Sequence, residues 1–541
     1  MNYGKFNVQV IAYCILFFLI VGIFNALVDP YLIFRSPLVE GFNFQKPEID
    51  SHTRMTKTFH LKWMNPELLV IGDSSVAYGI NPGQGLLGGF RVYNLGLPGA
   101  NIYELYKYVK YAVNACDTRH VVVFVSLKNF LKNQNNKTDF NDLRLTPFRA
   151  KAFMDYYKSL FTLNALSSSF VTITSQDEDY ESSRNGFLVY RNNKKFQRTQ
   201  NRFLVNEAGI LVAYLRLQNV IKDNNEKLDY SSFVKLLNIS LNNQVKIDIV
   251  ITPLHAREML LVKELGLRAQ YDIWKHKVLE IVTKRGRGEK NINVYDYANY
   301  NECMTEKLPA SYDSTKPLNW YWESTHFKPE FGTLIMDEVL GCKKDECYKI
   351  GTKLTASNYR VNETNFLLKR EMYEKNLVAD GNDIKRLIGA LKSYLDVSGI
   401  KVENAPQDIM HGVLHNAIMH INGDKLVRNG NFNDSRHWYW GTPWTHQRGR
   451  AYADGSQKGN AYLSTEVSII PQNKYLLEFD LSRESGALDV TLGGDTKWGI
   501  SEGGKVNLSY QVKDSTRTLR FIGNSSFKGS IDNVSLMLSK N

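Results

Sequence analysis

Short apolar runs separated by polar turns organise the first two thirds of this chain. Leu68–Ile71, Val92–Leu95, Val121–Ser126 and Ile247–Thr252 are rich in β-branched residues and bounded by turn formers, the pattern of buried strands. Between the second and third runs, Ile102 to Ala115 carries apolar residues at helical spacing. Ile292–Tyr295 reads as a fifth strand that ends at Asp296. Pro329 to Leu340 reads as a helix with its proline in the first turn. Apolar runs alternating with helices predict an α/β fold, a mostly parallel sheet flanked by helices on both faces. Residues 140–205 interrupt the pattern with polar, aromatic and basic stretches, as a lid, an acceptor surface or an ordinary surface excursion would.

Both ends have a different character. Val8 to Val28 holds 21 residues without a charge. At 1.5 Å per residue such a run spans about 30 Å, one hydrocarbon core. Lys5 precedes it and Asp29-Pro30 closes it. The expectation is an uncleaved anchor in the inner (cytoplasmic) membrane, with the bulk of the chain periplasmic or extracellular. The run is long for a signal peptide and lacks a clean Ala-x-Ala site. Helix-like periodicity in Phe366–Leu377 and Ile384–Leu395 marks a connector. From Leu426 strand-like segments follow, among them Tyr475–Leu481 and Thr518–Ile522. The expected domains are an anchor (1–30), an α/β domain (31–345, with the 140–205 insertion), a helical connector (346–425) and an all-β domain (426–541).

Composition narrows the partners. The 541 residues carry a formal net charge of +12, spread along the chain, with no basic run interleaved with aromatics of the nucleic-acid type. A diffuse positive surface suits an acidic polysaccharide or anionic headgroups. Of five cysteines, Cys14 lies in the apolar run. Cys116, Cys303, Cys342 and Cys347 lie outside it, where disulfides are plausible, with Cys342–Cys347 the simplest pair. No Cys-x-x-Cys or His-Glu-x-x-His spacing points to a metal, and no cofactor is implied.

The chemistry lies in two places. Leu69-Val70-Ile71-Gly72-Asp73-Ser74-Ser75 is an apolar run that delivers a serine to a turn, and Trp322-Glu323-Ser324-Thr325-His326 sets an acid three residues before a histidine. A serine hydroxyl needs a histidine to take its proton, and that histidine needs its other nitrogen held. Ser74, His326 and Glu323 are the expected nucleophile, base and orienting acid, although Gly-Asp-Ser alone is a common turn. The first block resembles that of the SGNH (GDSL-type) hydrolase superfamily, and the late acid-x-x-His resembles its last. Tyr93-Asn94-Leu95-Gly96-Leu97-Pro98-Gly99-Ala100 is similar to the second block. Asn129, after Val121–Ser126, stands near the place of the third. The resemblance spans roughly residues 60–340. It implies an oxyanion hole formed by the backbone N–H groups of Ser74 and Gly99 and the side chain of Asn129. The chain departs from the pattern in two ways: no glycine precedes Asn129 in the right place, with Phe130 replacing a polar residue, and Glu323 stands where Asp is usual.

His255 follows the fourth strand at the same sheet edge, as a groove-lining residue or a satisfied loop histidine. Asn429-Gly430-Asn431-Phe432, Trp438, Trp440 and Trp444, with the closing Ile531-Asp532-Asn533-Val534-Ser535-Leu536, resemble carbohydrate-binding modules of the β-sandwich, jelly-roll kind. The three tryptophans would stack on sugar rings or fill a sandwich core. This domain content resembles proteins of the alginate O-acetyltransferase type. The order of the blocks is that of ordinary SGNH hydrolases and of the anchored D-alanyl-transfer proteins of cell-wall polymers. The resemblance implies an acyltransferase or esterase, most simply for acetyl, acting on a cell-surface or exopolysaccharide, with a membrane-bound acyl-donor protein as partner for transfer. A non-catalytic polysaccharide-binding or assembly protein on the same scaffold is the alternative. An esterase for phospholipid or lipoprotein is a third reading.

Overall fold

The computed structural model describes residues 3–541 except 132–138, 147–149, 177–183, 191–197, 222–227, 286–290, 310–313, 342–348, 377–379, 382, 386, 390–425, 428, 468, 470–473, 514–517 and 539–541. The chain divides into two compact units: Met1–Phe203 with Leu217–Val378, and Leu204–Arg216 with Ala379–Asn541.

In the first unit, helix α1 (Tyr3–Val28) precedes α2 (Thr53–Met64), and an α/β sheet follows. Its elements are β1 (Leu68–Gly72), α3 (Ser74–Gly79), β2 (Val92–Gly96), α4 (Ile102–Ala115) and β3 (His120–Val125). Two helices, α5 (Ala150–Phe161) and α6 (Leu163–Thr174), occupy the expected insertion, and a long helix α7 (Thr199–Ile221) follows at its exit, of which Leu204–Arg216 belongs to the second unit. Then come α8 (Tyr230–Asn243), β4 (Lys246–Ile251), α9 (Ala256–Glu264), α10 (Arg268–Arg285), β5 (Ile292–Asp296), α11 (Pro329–Leu340), β6 (Thr352–Leu354) and α12 (Tyr359–Asn376). The sheet order is β2-β1-β3-β4-β5-β6. All pairs are parallel except β5–β6, which is antiparallel. The sheet and α12 thus reach into the stretch expected as a connector. Of the periodic segments expected there, Phe366–Asn376 lies within α12, and most of Ile384–Leu395 lies outside the described residues.

The strands are buried on both faces, which explains their continuous apolar runs. Leu68, Val70, Val122, Phe124 and Val250 share a core with Phe327 and with Phe331, Ile335 and Met336 of α11. The alternate residues Leu69, Ile71, Val121, Val123 and Ile249 are equally buried and point to the opposite face. Burying each such side chain contributes about 1.5–3 kcal/mol. Glycines allow the closest approaches. A Cβ on Gly96 of β2 would fall 2.1 Å from Ala77 N of α3, and one on Gly332 of α11 would fall 1.8 Å from Gly79 O. Helix α3 is therefore pressed between β2 and α11, which sets the place of the serine at its start.

Helix α1 is the one described helix long and apolar enough to cross a membrane, with mean hydropathy 2.6 over its best window. Length and composition of this kind suit a span and a signal sequence alike.

The second unit holds two five-stranded antiparallel sheets. The strands are β7 (Tyr439–Trp440), β8 (Thr445–Gln447), β9 (Arg450–Ala453), β10 (Ala461–Glu466), β11 (Lys474–Ser485), β12 (Leu488–Leu492), β13 (Asp495–Ile500), β14 (Gly504–Gln511), β15 (Thr518–Gly523) and β16 (Lys528–Leu538). They run β13-β12-β15-β10-β7 and β14-β11-β16-β9-β8. Alternate residues from both sheets, among them Leu463, Leu477, Phe479, Val490 and Phe521, form one core. Tyr510 of one sheet donates from its hydroxyl to Val490 O of the other at 2.9 Å.

Candidate active site

Strand β1 ends at Gly72, and Asp73 caps the short helix α3 by accepting a hydrogen bond from Ser75 N at 2.9 Å. Ser74 is the first residue of that helix and is half-buried. Its backbone N–H lies in the first turn, where helix donors have no intrahelical acceptor.

The acid and histidine arrive on a tight loop before α11. The loop is closed by Trp322 N donating to His326 O at 2.9 Å and Lys328 N to Trp320 O at 2.8 Å, with a bridge between Tyr321 and Phe327. This closure turns Glu323 and His326 to the same side. His326 Nε2 lies 2.7 Å from Ser74 Oγ. Its Nδ1 pairs with Glu323 Oε1, and Glu323 Oε2 accepts from Thr325 N at 2.8 Å. Ser75 Oγ donates to Thr325 O at 3.2 Å, binding the two blocks together. Thr325 Oγ1 donates in turn to Glu258 Oε2 at 2.9 Å, and Lys128 Nζ pairs with Glu258 Oε1 at 2.9 Å. Burial opposes the charged imidazolium, but Glu323, by charge and hydrogen bond, and then Asp73 outweigh it. The His326 pKa is raised above the ordinary 6.5.

Asn129 is buried, and its amide donates to Ala100 O at 2.8 Å, with Asp73 Oδ2 at 3.4 Å. Its Oδ1 accepts from Ser126 N at 2.7 Å. The side chain thus links the end of β3 to the loop after β2, with one N–H held firmly and the other only loosely toward Asp73. Gly99 is exposed and takes φ +65°, the left-handed region that favours glycine. Its loop is braced by Arg54, whose Nη2 donates to Pro98 O at 3.1 Å and whose Nε pairs with buried Glu104 at 2.7 Å.

Two groups of expected residues take packing and capping roles. His255 is buried and caps α9: its Nδ1 accepts from Arg257 N at 3.3 Å, and Nε2 lies 2.9 Å from Glu306 O. Both ring nitrogens are engaged, its backbone N–H donates to Ser324 O at 3.0 Å and its ring lies 5.2 Å from Tyr321, so it is a satisfied loop histidine that braces the loop carrying Glu323 and His326. Trp438 and Trp444 are core residues of the β-sandwich, and Trp440 packs against that core with its Nε1 donating to Ser435 O at 2.9 Å. A sandwich has to fill its interior, and these indoles do so. Among the described residues the exposed aromatics of that unit are Tyr439, Tyr462 and Trp498, which is 75 % exposed. Tyr462 and Ser464 are two apart on β10, and Ser464 pairs with Tyr439, so both tyrosines share one outward face.

Several neighbours of the serine were not foreseen. Tyr190 stacks on Trp322, with ring centres 5.2 Å apart and 6° between planes, and stands 5.7 Å from the His326 ring. Tyr78 meets the same imidazole edge-on at 5.3 Å. Burial, then the Glu323 carboxylate, push the Tyr190 phenol up, so it stays protonated. Tyr190 belongs to the part of the insertion that crosses the site, where Leu188 N donates to Ala77 O and Asn94 N to Asn185 O, each at 2.9 Å. Lys57 is fully buried and donates to Asn94 O, Gly96 O and Gly186 O at 3.1, 2.7 and 2.7 Å, tying this segment to β2. Neither Tyr190 nor Lys57 carries a local sequence signal, because each acts through contacts far away in the chain.

Cys116 and Cys303 are free thiols, and burial raises the Cys303 thiol to about 12. Cys342 and Cys347 lie outside the described residues. Among the described residues no cluster of His, Cys, Asp and Glu is arranged to hold a metal.

The chain matches no protein-family model and no curated protein. Among solved structures it is similar to a family 16 carbohydrate-binding module, with 14 % identity over 21 % of this chain and 99 % of the module, and a TM-score of 0.17. It is also similar to a protein provisionally assigned as a platelet activating factor from Streptococcus pneumonia, with 11 % identity over 54 % of this chain and 92 % of that one, and a TM-score of 0.24. A third likeness is to the capsular polysaccharide assembling protein CapF from Staphylococcus aureus, with 10 % identity over 87 % of this chain and 96 % of that one, and a TM-score of 0.15.

Proposed function

We propose that this chain is a membrane-anchored, extracytoplasmic acyltransferase or esterase of SGNH type that moves an acyl group, most simply acetyl, onto or off a cell-surface or exopolysaccharide. One observation carries the reading: Ser74 Oγ lies 2.7 Å from His326 Nε2 while Nδ1 of the same ring is held by buried Glu323. With the proton on Nδ1, Nε2 is free to accept from the serine.

Ser74 Oγ attacks the acyl carbonyl carbon as its proton passes to His326 Nε2. The carbonyl oxygen becomes an oxyanion facing the N–H groups of Ser74 and Gly99, with the second N–H of the Asn129 amide, held only loosely toward Asp73, as a further donor. The bond from the acyl carbon to the donor's leaving atom then breaks, and His326 returns its proton to that atom. A sugar hydroxyl, or water in the esterase, attacks the acyl-serine by the same steps in reverse. Transfer requires an acyl ester or thioester presented by a membrane-bound donor protein.

The anchor is read as retained because its last turn is built into the first unit. Asn25 Nδ2 donates to Leu160 O at 2.8 Å, and Lys46 Nζ donates to Val28 O and Asp29 O at 2.5 and 2.9 Å. Cleavage after α1 would strip the bonds to Asn25 and Val28. The sandwich is read as a jelly-roll sugar-binding module that raises the local concentration of polymer through the covalent link.

A serine-directed fluorophosphonate is expected to label Ser74 in the wild type and to leave His326→Ala unlabelled, read by mass spectrometry of the adduct. Well-folded wild type that neither takes the probe nor hydrolyses a small acetyl ester would overturn the reading in favour of a binding scaffold. For the sandwich, Tyr439→Ala with Tyr462→Ala is expected to weaken polysaccharide retention in affinity electrophoresis at least tenfold, since each stacking ring contributes on the order of 1 kcal/mol. Trp440→Phe is expected to leave retention unchanged. Unaltered binding in the double variant would place the sugar elsewhere.

A further inference from the structure

Helices α5 and α6 expose large apolar residues, alongside the polar Asn164, Ser167 and Thr174 of α6, and turn mostly small or polar ones inward, with Ala152, Tyr156 and Ala165 packed on Tyr31, Ile33, Met55 and Phe59. On α6 the residues turned into the protein are Ala165, Ser168, Ser169 and Thr172, while Leu163 is 78 % exposed, Phe170 is 56 % exposed and Val171 is exposed beside it. Helix α5 repeats the pattern: Asp155 and Ser159 are buried, and Phe153 (69 % exposed), Met154 and Tyr157 face outward. A helix packed on a water-soluble unit carries the opposite arrangement. Exposed apolar side chains gathered on one surface mark a contact site.

The inward polar groups are well served, so the arrangement is not a misplaced core. Asp155 pairs with Arg144 at 2.7 Å and also with Lys151. Ser169 Oγ donates to Asn25 Oδ1 at 2.8 Å, Tyr31 OH to Ser168 Oγ at 3.0 Å and Ser168 Oγ to Glu48 Oε2 at 3.1 Å. Small and polar residues between helices with large apolar residues outside is how helices pack where the solvent is hydrocarbon.

The outward surface continues onto α1. The Phe170 ring lies 5.5 Å from Phe24 of α1. Gly22 of α1 sits against Phe161, whose Cε1 would be 2.6 Å from an added Cβ. Ile23 and Leu27, in the same stretch of α1, are 61 % and 58 % exposed. Three helices therefore share one apolar surface. Helix α6 carries no charged residue, and α5 exposes Lys158 where anionic headgroups would meet it.

We propose that α5 and α6 form a second membrane-contacting element, whose outward side chains enter the acyl-chain boundary of the bilayer that α1 spans. The first unit then lies against the membrane instead of swinging on a single helix. This rests on the reading of α1 as a retained anchor.

The test uses the full chain in nanodiscs of phosphatidylethanolamine and phosphatidylglycerol doped with a phosphatidylcholine that carries a diazirine on its acyl chain. After irradiation, adducts are mapped by peptide mass spectrometry. The expected result is adducts on α1 and also on the peptides holding Phe153–Tyr157 and Leu163–Val171. Adducts on α1 alone overturn the proposal and leave the anchor standing. Adducts on neither overturn the anchor and the proposal together. A hairpin without adducts that cross-links to a second copy assigns this face to protein contact and overturns the bilayer as its occupant. Leu163→Glu with Phe153→Glu alters two outward side chains, one on each helix, and is expected to cut adducts on α5 and α6 at least fivefold, with α1 adducts and Tm unchanged. Undiminished hairpin adducts in that variant overturn the proposal.

Discussion

Ser74→Ala is expected to lower kcat/KM for acyl turnover by about 10⁴–10⁶-fold, the scale on which removal of a serine nucleophile acts. The hydroxyl lost is half-buried and faces the His326 ring at 2.7 Å, so its removal leaves little cavity and stability should change by less than about 1 kcal/mol. Retention on polysaccharide should be unaffected, because the exposed tyrosines proposed to bind sugar lie in the second unit. Hydrolysis of an acetyl ester compared between wild type and variant, with Tm beside it, makes the check. Turnover within tenfold of wild type in the folded variant would show that Ser74 is not the nucleophile and would transfer the function to binding.

Glu323→Gln is expected to reduce kcat/KM by about 10³–10⁴-fold and to move the acid limb of the pH profile to lower pH. Burial resists protonation of His326, and Glu323, followed by Asp73, overrides it, so the imidazole pKa lies above 6.5. The base works only when neutral, so wild-type activity falls as pH drops through that raised value. Removing the negative charge of Glu323 removes the main support of the imidazolium, and the limb shifts down while the maximum falls. Stability follows the opposite sign. A raised histidine pKa adds stability that is fully present below 6.5 and is lost as pH rises through the folded value. A pH series of kcat/KM for both proteins decides the matter: an acid limb that stays in place would remove Glu323 from the role of orienting acid. Because Glu323 also accepts from Thr325 N at 2.8 Å, part of the rate loss will come from a loosened loop. The shift of the limb separates the two effects.

What could be read along the chain was whatever depends on near neighbours. Buried parallel strands need unbroken β-branched runs, and Leu68–Gly72, Val92–Gly96 and Lys246–Ile251 stand where those runs predict strands. The same logic marked α1, the helix after Pro329 and the all-β C-terminal stretch. It also marked Ser74, Glu323 and His326, since a strand-turn serine and an acid three residues before a histidine are local patterns. That Ser74 and His326 meet across 252 positions was decided by the sheet and by the glycine contacts that seat α3 between β2 and α11. Burial was the other quantity hidden from the sequence. A tryptophan is equally suited to stack on sugar or to fill a sandwich, and packing sent Trp438 and Trp444 inside while leaving Tyr439 and Tyr462 out. His255 looked available until Arg257 N and Glu306 O met its ring nitrogens. The insertion shows the division most plainly. Its amphipathic helices have one apolar and one polar side, and periodicity is blind to which side faces the protein. Only the partners at Asn25, Tyr31 and Arg144 turned Ser169, Ser168 and Asp155 inward and left Leu163, Phe170 and Phe153 exposed.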